Sequence, residues 1–591
     1  MGETPDPDLT APANYRRILA RFAQFYFVER WRIVAAFGAG FFSAAMLVAA
    51  PWPIKIMIDS VLLHGDSGFL AQAFSSLPTQ TAIIILAFAS MFIAILAALA
   101  SAAEKVLNAR LRETMTARLR RFTLENILAR PLLDLQSYKS GEIALRLIDD
   151  TSQIARLYCK TAPIIFGHSI TTIATLGAMF LINIWMGVIG LVILVLLSIF
   201  VRWAAPTLRA ASRRKRQYEG AIASLAQEIL RNLRFVKASN SERDISQSFL
   251  TRNLESLNAG VSETLRSVKL ERLMKIVNGA ALAIVVGGGA LLVESDSLSV
   301  GELTICIAYL TQLLKPVEKI NELASTVTKA LVRAERLDAF VADERLTVIT
   351  APLAKNSTGA IAFKDVSFLY DENKGVVLSK TALNIAANET VWIEGASGAG
   401  KSTFIALLLR LFDPTAGYIT LDGAPASMWS HADWRAQFSV MLQEHALFSG
   451  ALRDSLLIGN QKITDEALWA ALEKAGLGEF IRNLPRQLNA PIEEAGANFS
   501  GGQRSRLCLA RALAADRPIL VLDEPLANLD HDSREIVMDA LRKERRQRTI
   551  IIISHERLPA AIIDKHLVLS AGKLSPAANA PCLQPRQALA L

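Results

Sequence analysis

The sequence predicts a multi-domain protein in which an all-α transmembrane domain of six helices precedes an α/β domain. Three observations predict this fold. Of the 591 residues, 52% are hydrophobic, which is high for a soluble protein, and the apolar excess lies before about residue 320. The basic residues of that half are sorted by loop. From residue 361 onward, short β-branched runs alternate with helical patterns, which is typical of a largely parallel sheet.

Six apolar stretches approach or exceed the roughly 20 residues that a membrane-spanning helix needs. Their predicted bounds are 33–61, 81–103, 161–183, 185–205, 274–294 and 301–322. The last stretch is the weakest of the set. For any single stretch, the alternative is a buried helix of a large soluble core. The distribution of charge between the stretches disfavours that alternative for the set as a whole.

Lysine and arginine are concentrated in the loops 104–160 and 206–275, whereas the connections near 62–80, 184 and 294–300 contain neither. The positive-inside rule therefore places the basic loops and both chain termini in the cytoplasm. We expect a multi-pass integral protein of a bacterial inner (plasma) membrane. The net charge of +9 follows largely from these loops, so membrane lipids are better partners than nucleic acid.

Two further features of the membrane half carry charge. Residues 15–32 alternate arginine with aromatic and aliphatic residues, which predicts an amphipathic helix in the membrane interface before the first span. The first span itself contains Lys55 and Asp59 near its outer end. Ionisable residues inside a membrane are functional candidates. A salt-bridged or snorkelling pair at the interface is the favoured alternative.

Composition also predicts the domain boundaries. Residues 1–14 are polar and rich in proline and aspartate, and residues 576–591 are rich in alanine and proline, so both ends are expected to be disordered. Between them we expect a transmembrane domain over 15–345, a linker over 346–360 and an α/β domain over 361–575. The long cytoplasmic segments have helical periodicity and are expected to extend the membrane helices into water.

Residues 395–403 read Gly-Ala-Ser-Gly-Ala-Gly-Lys-Ser-Thr and follow an apolar run that predicts a strand. In such a P-loop, backbone N–H groups converge on phosphate oxygens, and the start of the next helix adds partial positive charge. Lys401 is expected to reach the β- and γ-phosphates, and Ser402 to bind Mg²⁺. The predicted phosphate-binding residues are Gly395, Ser397, Gly398, Ala399, Gly400, Lys401, Ser402 and Thr403.

Two later segments add to the P-loop. The apolar run 519–522 predicts a strand that ends in two carboxylates. Asp523 is placed to hold Mg²⁺ through water, and Glu524 can polarise the attacking water as a general base. Ser500, Gly501, Gly502 and Gln503 precede a clear helical pattern over 504–513 and predict a second anion-binding helix start.

These motifs, in this order, resemble those of ATP-binding-cassette (ABC) transporters. The resemblance covers about residues 15–573, and it is strongest to half-size exporters, in which the membrane domain is fused ahead of the ATPase domain. The family signature is usually Leu-Ser-Gly-Gly-Gln, and Phe499 replaces its leucine here. We expect this apolar change to be tolerated. The resemblance implies that the α/β domain is a P-loop ABC ATPase with ATP and Mg²⁺ as cofactors.

The resemblance implies roles for four more residues. Tyr370 matches the aromatic residue that stacks on adenine, with a core tyrosine as the alternative. Gln443 matches the residue that binds Mg²⁺ and links its site to the membrane domain. Asp530 matches the loop that crosses between subunits, and His555 matches the histidine that contacts the γ-phosphate. Each match is weak alone, and their shared order and spacing make the set specific.

In this family, the P-loop of one subunit faces the signature helix of the other. The resemblance therefore implies a dimer, most simply a homodimer with a second copy of the chain, or a pairing with a related half-transporter. Residues 141–149 and 226–237 resemble the coupling segments that rest on the ATPase domains.

The expected activity is ATP-driven export of an amphiphilic substrate, such as a lipid, a peptide or a natural product. Apart from Lys55, Asp59 and His168, the predicted spans contain few ionisable groups, which disfavours an inorganic ion as cargo. An importer built on exporter architecture and a membrane-anchored regulatory ATPase without transport remain alternatives. The apolar spans disfavour a soluble cassette protein that acts on DNA.

Overall fold

The computed structural model describes residues 12–63, 78–136, 138, 140–340, 357–371, 375–527 and 529–577. By their contacts, these residues fall into two compact units, drawn from Met1–Ala129 with Lys139–Ala342 and from Arg130–Tyr138 with Asp343–Leu591. The linker predicted over 346–360 lies mostly outside the described residues, as do most of the two ends predicted to be disordered. Those boundaries stay predictions.

All the regular secondary structure among the described residues of the first unit is helical, which confirms the all-α prediction. Its α-helices are Pro12–Phe27, Arg30–Ala49, Trp52–Ile56, Thr79–Ala129, Ser140–Leu145, Thr151–Arg156, Ala162–Ile182, Ile184–Arg231, Leu233–Ala238, Glu242–Glu294 and Val300–Asp338. Wider, π-helical turns continue three of them, at Met57–Leu62, Arg146–Asp150 and Leu157–Thr161.

Five helical stretches among the described residues are long and apolar enough to cross a membrane. They are Arg30–Leu62, Thr79–Ala129, Ser140–Ile182, Ile184–Trp203 and Glu242–Glu294. The sixth predicted span coincides with a shorter apolar stretch, Val300–Leu313. The multi-pass prediction is confirmed, and the count of six stays a prediction.

The long helices exceed what a bilayer requires. Thr79–Ala129 has 51 residues, which corresponds to about 75 Å, whereas the hydrocarbon core of a bilayer is only about 30 Å thick. The surplus lies in the basic half of the helix. The structure therefore agrees with the prediction that membrane helices extend into water.

The amphipathic N-terminal helix forms, but its apolar face is already covered. Ile18, Phe22 and Tyr26 of Pro12–Phe27 are buried in a cluster with Leu111 and Met115, on the aqueous extension of Thr79–Ala129. Burial against protein removes this face from water as lipid would. The predicted amphipathic helix is confirmed, and its place in the membrane interface stays a prediction.

The charged pair of the first span is part of a polar cluster with the last long helix. Lys55 Nζ lies 3.0 Å from Glu302 Oε1. Asp59 is only 4% exposed and accepts hydrogen bonds from the Ser299 hydroxyl (2.5 Å) and the Gly301 N–H (2.8 Å). The carboxylate thus satisfies donors at the start of Val300–Asp338. A salt bridge is therefore confirmed for Lys55, but its partner is Glu302 rather than Asp59, which is held by the two hydrogen bonds.

The second unit is an α/β domain with three sheets. Its strands are β1 (Ile361–Leu369), β2 (Val376–Ile385), β3 (Thr390–Gly395), β4 (Ala416–Leu421), β5 (Ala424–Pro425), β6 (Phe438–Met441), β7 (Gly450–Ala451), β8 (Pro491–Ile492), β9 (Ile519–Asp523), β10 (Thr549–Ile553), β11 (Lys565–Ser570) and β12 (Lys573–Pro576). Its α-helices are Leu132–Leu135, Lys401–Leu408, His431–Arg435, Leu452–Leu456, Asp465–Lys474, Gly478–Arg482, Gly501–Ala514 and His531–Glu544.

The six-stranded sheet has the order β12-β11-β3-β10-β9-β6. All its pairings are parallel except the edge pair β11–β12, which confirms the predicted largely parallel sheet. A second, antiparallel sheet with the order β2-β1-β4-β5 was not predicted. Its strands are short β-branched runs like those of the parallel sheet, and their sequences do not indicate strand direction.

The central strand β10 divides the apolar core into two layers. Ile550 and Ile552 pack on one face with the helix Gly501–Ala514, whereas Ile551 and Ile553 pack on the other with the helix Lys401–Leu408. Because β3, β10 and β9 are parallel, their carboxyl ends meet at one edge of the sheet. This edge is where functional residues are expected.

We predict that Gly301→Ala destabilises the protein, because a Cβ at this position would lie 2.6 Å from the Asp59 carboxylate. Overpacking of this kind costs about 1–3 kcal/mol, and it also displaces a buried charge from its donors. The thermal unfolding midpoint of the purified protein measures the effect. Gly38→Ala is the matched control, since nothing lies within 4 Å of a Cβ there. Equal midpoints for the two variants would contradict the prediction.

Candidate functional site

Three neighbouring parallel strands deliver the predicted site residues to one edge of the sheet. β3 ends at Gly395 and leads into the P-loop. β9 ends at Asp523, which lies in register with Ile553 at the end of β10. His555 follows β10 by two residues. The sheet topology therefore brings together residues that are far apart in the sequence.

The P-loop makes a tight turn that depends on two glycines. Gly398 and Gly400 have φ values of 80° and 103°, a region that other residues adopt only with strain. A Cβ on Gly400 would also lie 3.4 Å from the side chains of Val377 and Leu378. The loop can therefore turn its backbone N–H groups toward a phosphate at the start of the helix Lys401–Leu408.

The Lys401 ammonium lies across its own loop. It donates a hydrogen bond to the Gly395 carbonyl (2.7 Å) and lies 3.5 Å from Glu524 Oε1. Its side chain is 15% exposed, so the positive charge faces the site more than bulk water. Ser402 beside it is exposed, whereas Thr403 is buried.

Asp523 and Glu524 place two carboxyl groups side by side in a buried position, with exposures of 7% and 5%. Burial and the adjacent charge of Glu524 raise the pKa of Asp523 to about 6, although Lys401 and the backbone N–H of Gln443 oppose the rise. The ionised form of Asp523 therefore has less stabilisation than an ordinary carboxylate. A bound cation would supply it.

Glu524 is held in a strained backbone conformation, with φ of 50°. Its N–H donates to the Ile553 carbonyl (2.8 Å), and its Oε2 lies 2.8 Å from His555 Nδ1. A positive φ at a residue other than glycine costs about 1 kcal/mol or more and persists where the surroundings fix it. This backbone conformation places the Glu524 carboxylate between Lys401 and His555.

Tyr370 lies beside the P-loop helix. Its hydroxyl is 2.9 Å from Thr403 Oγ1, and its ring makes edge contacts with Phe368 and Phe412. The ring is partly buried. This position is compatible with the predicted adenine contact and equally with core packing, so the role of Tyr370 stays a prediction.

The signature segment forms the helix start that its sequence predicts. The Ser500 hydroxyl accepts from the Gln503 N–H (3.2 Å), and Gln503 Oε1 accepts from the Ser500 N–H (2.9 Å), which is a capping box. Phe499 is buried beside Phe480, so the aromatic replacement fits the core. Next to the cap, Gly501 is exposed with open space around it.

The structure thus brings together Lys401, Asp523, Glu524 and His555, with the main chain of Gln443 beside them. Within the described part of the chain, no hydrogen bond or ion pair joins the capping box of the signature to the P-loop. Asp530 is exposed just before the helix His531–Glu544. The contact between Lys401 and Glu524 was not found from the sequence, and no local pattern indicates it.

The side chains at the sheet edge fit MgATP. Ser402, Asp523 and Gln443 offer a hydroxyl, a carboxylate and an amide, and oxygen donors of this kind are what Mg²⁺ prefers. The buried, poorly compensated Asp523 is the observation that favours a cation here. The positive-φ P-loop and Lys401 offer the donors that a triphosphate needs.

Comparison with known proteins relates both units to ABC transporters. A family model described as the ABC transporter transmembrane region matches residues 33–317, and one described as ABC transporter matches residues 378–527. An ATP-dependent lipid A-core flippase of Alkalilimnicola ehrlichii is 30% identical over 460 residues, which is 77% of each chain. A multidrug resistance ABC transporter ATP-binding and permease protein of Lactococcus lactis subsp. lactis is 29% identical over 78% of each chain.

One solved structure supports the fold over nearly the full length. It is a bacterial Atm1-family ABC exporter with ATP bound, with a TM-score of 0.76 and 23% identity. The match covers 92% of this chain and 94% of that one.

We predict that Asp523→Asn stabilises the nucleotide-free protein at pH 8. Because the folded-state pKa is raised from 3.8 to about 6, ionised Asp523 opposes folding above pH 6. That cost disappears as the pH falls below the unfolded-state value. Removing the charge should gain about 1–3 kcal/mol at pH 8 and clearly less at pH 5. Thermal midpoints of both proteins at the two pH values test this, and a gain that is equal at both would contradict it.

Proposed function

This chain belongs to the ABC transporter family, whose members couple ATP hydrolysis to transport. We propose that it exports an amphiphilic substrate as one half of a dimer. The observation that carries the proposal is the grouping of Lys401, Asp523, Glu524 and His555 at one sheet edge. The same chain carries a multi-pass helical unit. The proposed location is a bacterial inner membrane, with both termini in the cytoplasm.

The chemistry assigned to this edge is hydrolysis of the γ-phosphate of ATP. The P-loop N–H groups and Lys401 bind the phosphates, and Glu524 Oε1 or Oε2 accepts the proton of the attacking water. His555 positions the Glu524 carboxylate through the 2.8 Å contact and is proposed to contact the γ-phosphate. Ser402, Asp523 and Gln443 would hold Mg²⁺, which when bound would supply positive charge near the phosphate oxygens.

The contact between Lys401 and Glu524 connects nucleotide binding to catalysis. Without nucleotide, the Lys401 ammonium neutralises part of the charge on Glu524. Phosphate oxygens carry more negative charge and compete for the same ammonium. Binding of ATP would therefore release Glu524 Oε1 to act as the general base.

The second half of the site is proposed to come from another copy of the chain. Ser500 and Gly501 are exposed, as the family resemblance requires for a signature that faces the P-loop of a partner. An apolar stripe also lies open on the aqueous part of Glu242–Glu294, at helical spacing. Each of its members is at least half exposed: Leu250, Leu254, Leu257, Val261, Leu265 and Val268.

A stripe of this length is costly to leave in water and is typical of an interface between helices. A second copy would cover it by twofold symmetry and would also complete the ATP site. Pairing with a related half-transporter is the alternative for the partner.

Export is the direction that the names of the relatives support, since they are described as multidrug resistance and flippase proteins. Their names also favour a drug-like or lipid-like cargo. An importer on the same architecture would instead accumulate a fluorescent amphiphile in right-side-out vesicles that contain ATP. An ATPase without transport would accumulate it in neither orientation, whereas an exporter should do so in inside-out vesicles supplied with external ATP.

We predict that Glu524→Gln lowers the ATPase rate of the purified dimer by about 10²–10⁴-fold, because it removes the general base, while ATP remains bound. Phosphate release and the amount of retained nucleotide measure the two effects. Glu466→Gln, at an exposed carboxylate on the helix Asp465–Lys474, is the matched control and should hydrolyse ATP normally. Unchanged hydrolysis by Glu524→Gln would remove this residue from the catalytic role.

A further inference from the structure

A stacked pair of rings lies behind the ATP site, on the six-stranded sheet. Trp392 on β3 and His566 on β11 are directly opposed neighbours in the parallel ladder. Their ring centroids are 3.8 Å apart, and the two planes lie within 8° of parallel. Trp392 is buried among the apolar residues on the face that packs against the helix Gly501–Ala514. The indole therefore has little freedom to turn, because core residues surround it and a second ring covers its flat face.

The imidazole of this pair is itself held, by a residue at the start of the P-loop. His566 Nε2 lies 2.9 Å from Glu394 Oε2, and Glu394 directly precedes Gly395 on β3. Both side chains are partly buried. A hydrogen bond to one ring nitrogen restricts the orientation of an imidazole. Glu394 thus holds His566, and His566 holds Trp392 by stacking.

The indole N–H is bonded to a carbonyl next to the ATP site. A buried tryptophan usually finds an acceptor for this group, and Trp392 Nε1 donates to the Ser554 carbonyl at 3.2 Å. Ser554 lies one residue beyond the end of β10 and is fully buried. Its N–H donates to the Ile393 carbonyl (3.3 Å), and its hydroxyl accepts from the Glu556 N–H (3.0 Å). The turn that leaves β10 is therefore fixed at Ser554.

One peptide group connects this contact to the Glu524 carboxylate. The Ser554 carbonyl and the His555 N–H belong to the same planar unit, so that fixing one end fixes the other. The His555 N–H donates to Glu524 Oε2 at 3.4 Å, and His555 Nδ1 lies 2.8 Å from the same oxygen. Trp392 thus holds one end of a peptide whose other end contacts the proposed general base.

We propose that Trp392 is a positioning residue for ATP hydrolysis. It acts on Glu524 through the Ser554–His555 peptide, and His566 keeps its indole in the required plane. This inference rests on the proposed role of Glu524 as the general base. Without the indole N–H, the buried Ser554 carbonyl would lose its donor, and the peptide would no longer be held in one orientation.

The variant Trp392→Phe tests the contact, because phenylalanine keeps an aromatic ring beside His566 and removes the indole N–H. The measurement is steady-state hydrolysis by the full-length dimer, with the rate divided by the number of sites that bind nucleotide. We expect kcat to fall about 3–30-fold. The KM for ATP should change by less than about twofold, because the P-loop and Lys401 are untouched. An unchanged kcat would overturn the inference.

The matched control is Trp434→Phe. Trp434 is fully buried in the same unit, and its Nε1 donates to the carbonyl of Leu408 (2.8 Å), the last residue of the helix Lys401–Leu408. Both variants lose one buried hydrogen bond and part of a ring, so both should lower the thermal unfolding midpoint. Only Trp392→Phe should lower kcat. An equal loss of kcat in the two variants would make the effect one of stability and contradict a positioning role.

Replacement of His566 tests the stacking contact separately. His566→Ala removes the ring beside Trp392 and should lower kcat about 2–10-fold, whereas His566→Phe keeps a ring there and should restore most of the rate. Added to Trp392→Phe, His566→Ala should lower kcat no further, because an N–H that is absent has no orientation to lose. Additive losses, or no restoration by His566→Phe, would overturn the role of the stack.

Failure of this inference is distinguishable from failure of the proposed function. If the native dimer hydrolyses ATP and Glu524→Gln does not, while Trp392→Phe keeps the native kcat, only the positioning role is wrong. If the native dimer does not hydrolyse ATP, or Glu524→Gln hydrolyses it normally, the proposed function itself fails.

Discussion

The electrostatic balance between Lys401 and the adjacent carboxyl groups of Asp523 and Glu524 is the interaction on which the site depends. Two acids buried side by side repel each other, and burial removes the water that would screen them. Parallel pairing of β3, β10 and β9 forces them to the same edge as the P-loop. Among the described residues, Lys401 is the one lysine or arginine whose charged group lies within 4 Å of the Glu524 carboxylate. A bound metal ion would offset the repulsion between the two carboxylates, and a bound phosphate would attract the Lys401 ammonium. Binding of both ligands would therefore lower the electrostatic cost of the empty site.

Local sequence patterns predicted most of the individual elements. The P-loop strand, the strand that ends at Asp523 and the signature helix all lie where apolar runs and glycines indicated them. Contacts between residues far apart in the sequence were harder to predict. The antiparallel sheet was missed because short β-branched runs do not encode strand direction. The packing of the N-terminal helix against Leu111 and Met115 was missed because an amphipathic face does not show which apolar partner covers it. The contact between Lys401 and Glu524 depends on strand order, which no single segment specifies.

The two surfaces left open in one chain have the same explanation. The signature start around Ser500 and Gly501 is exposed polar backbone that has no contact with its own P-loop in the described residues. The stripe from Leu250 to Val268 is exposed apolar surface on the part of its helix that precedes the predicted span 274–294. A homodimer would satisfy both at once, because twofold symmetry lets each copy cover the open surfaces of the other.

The central claim is that each ATP site is shared between two chains, and mixed dimers test it most directly. In a Glu524→Gln background, one chain carries Lys401→Ala and the other Ser500→Arg, and two affinity tags isolate the mixed dimer. If the sites are shared, one site keeps an intact P-loop and an intact signature, so about one ATP should be retained per mixed dimer and none in either parent homodimer. Retention that is no higher in the mixed dimer than in the parents would contradict the account, because it would place both motifs of a site in the same chain.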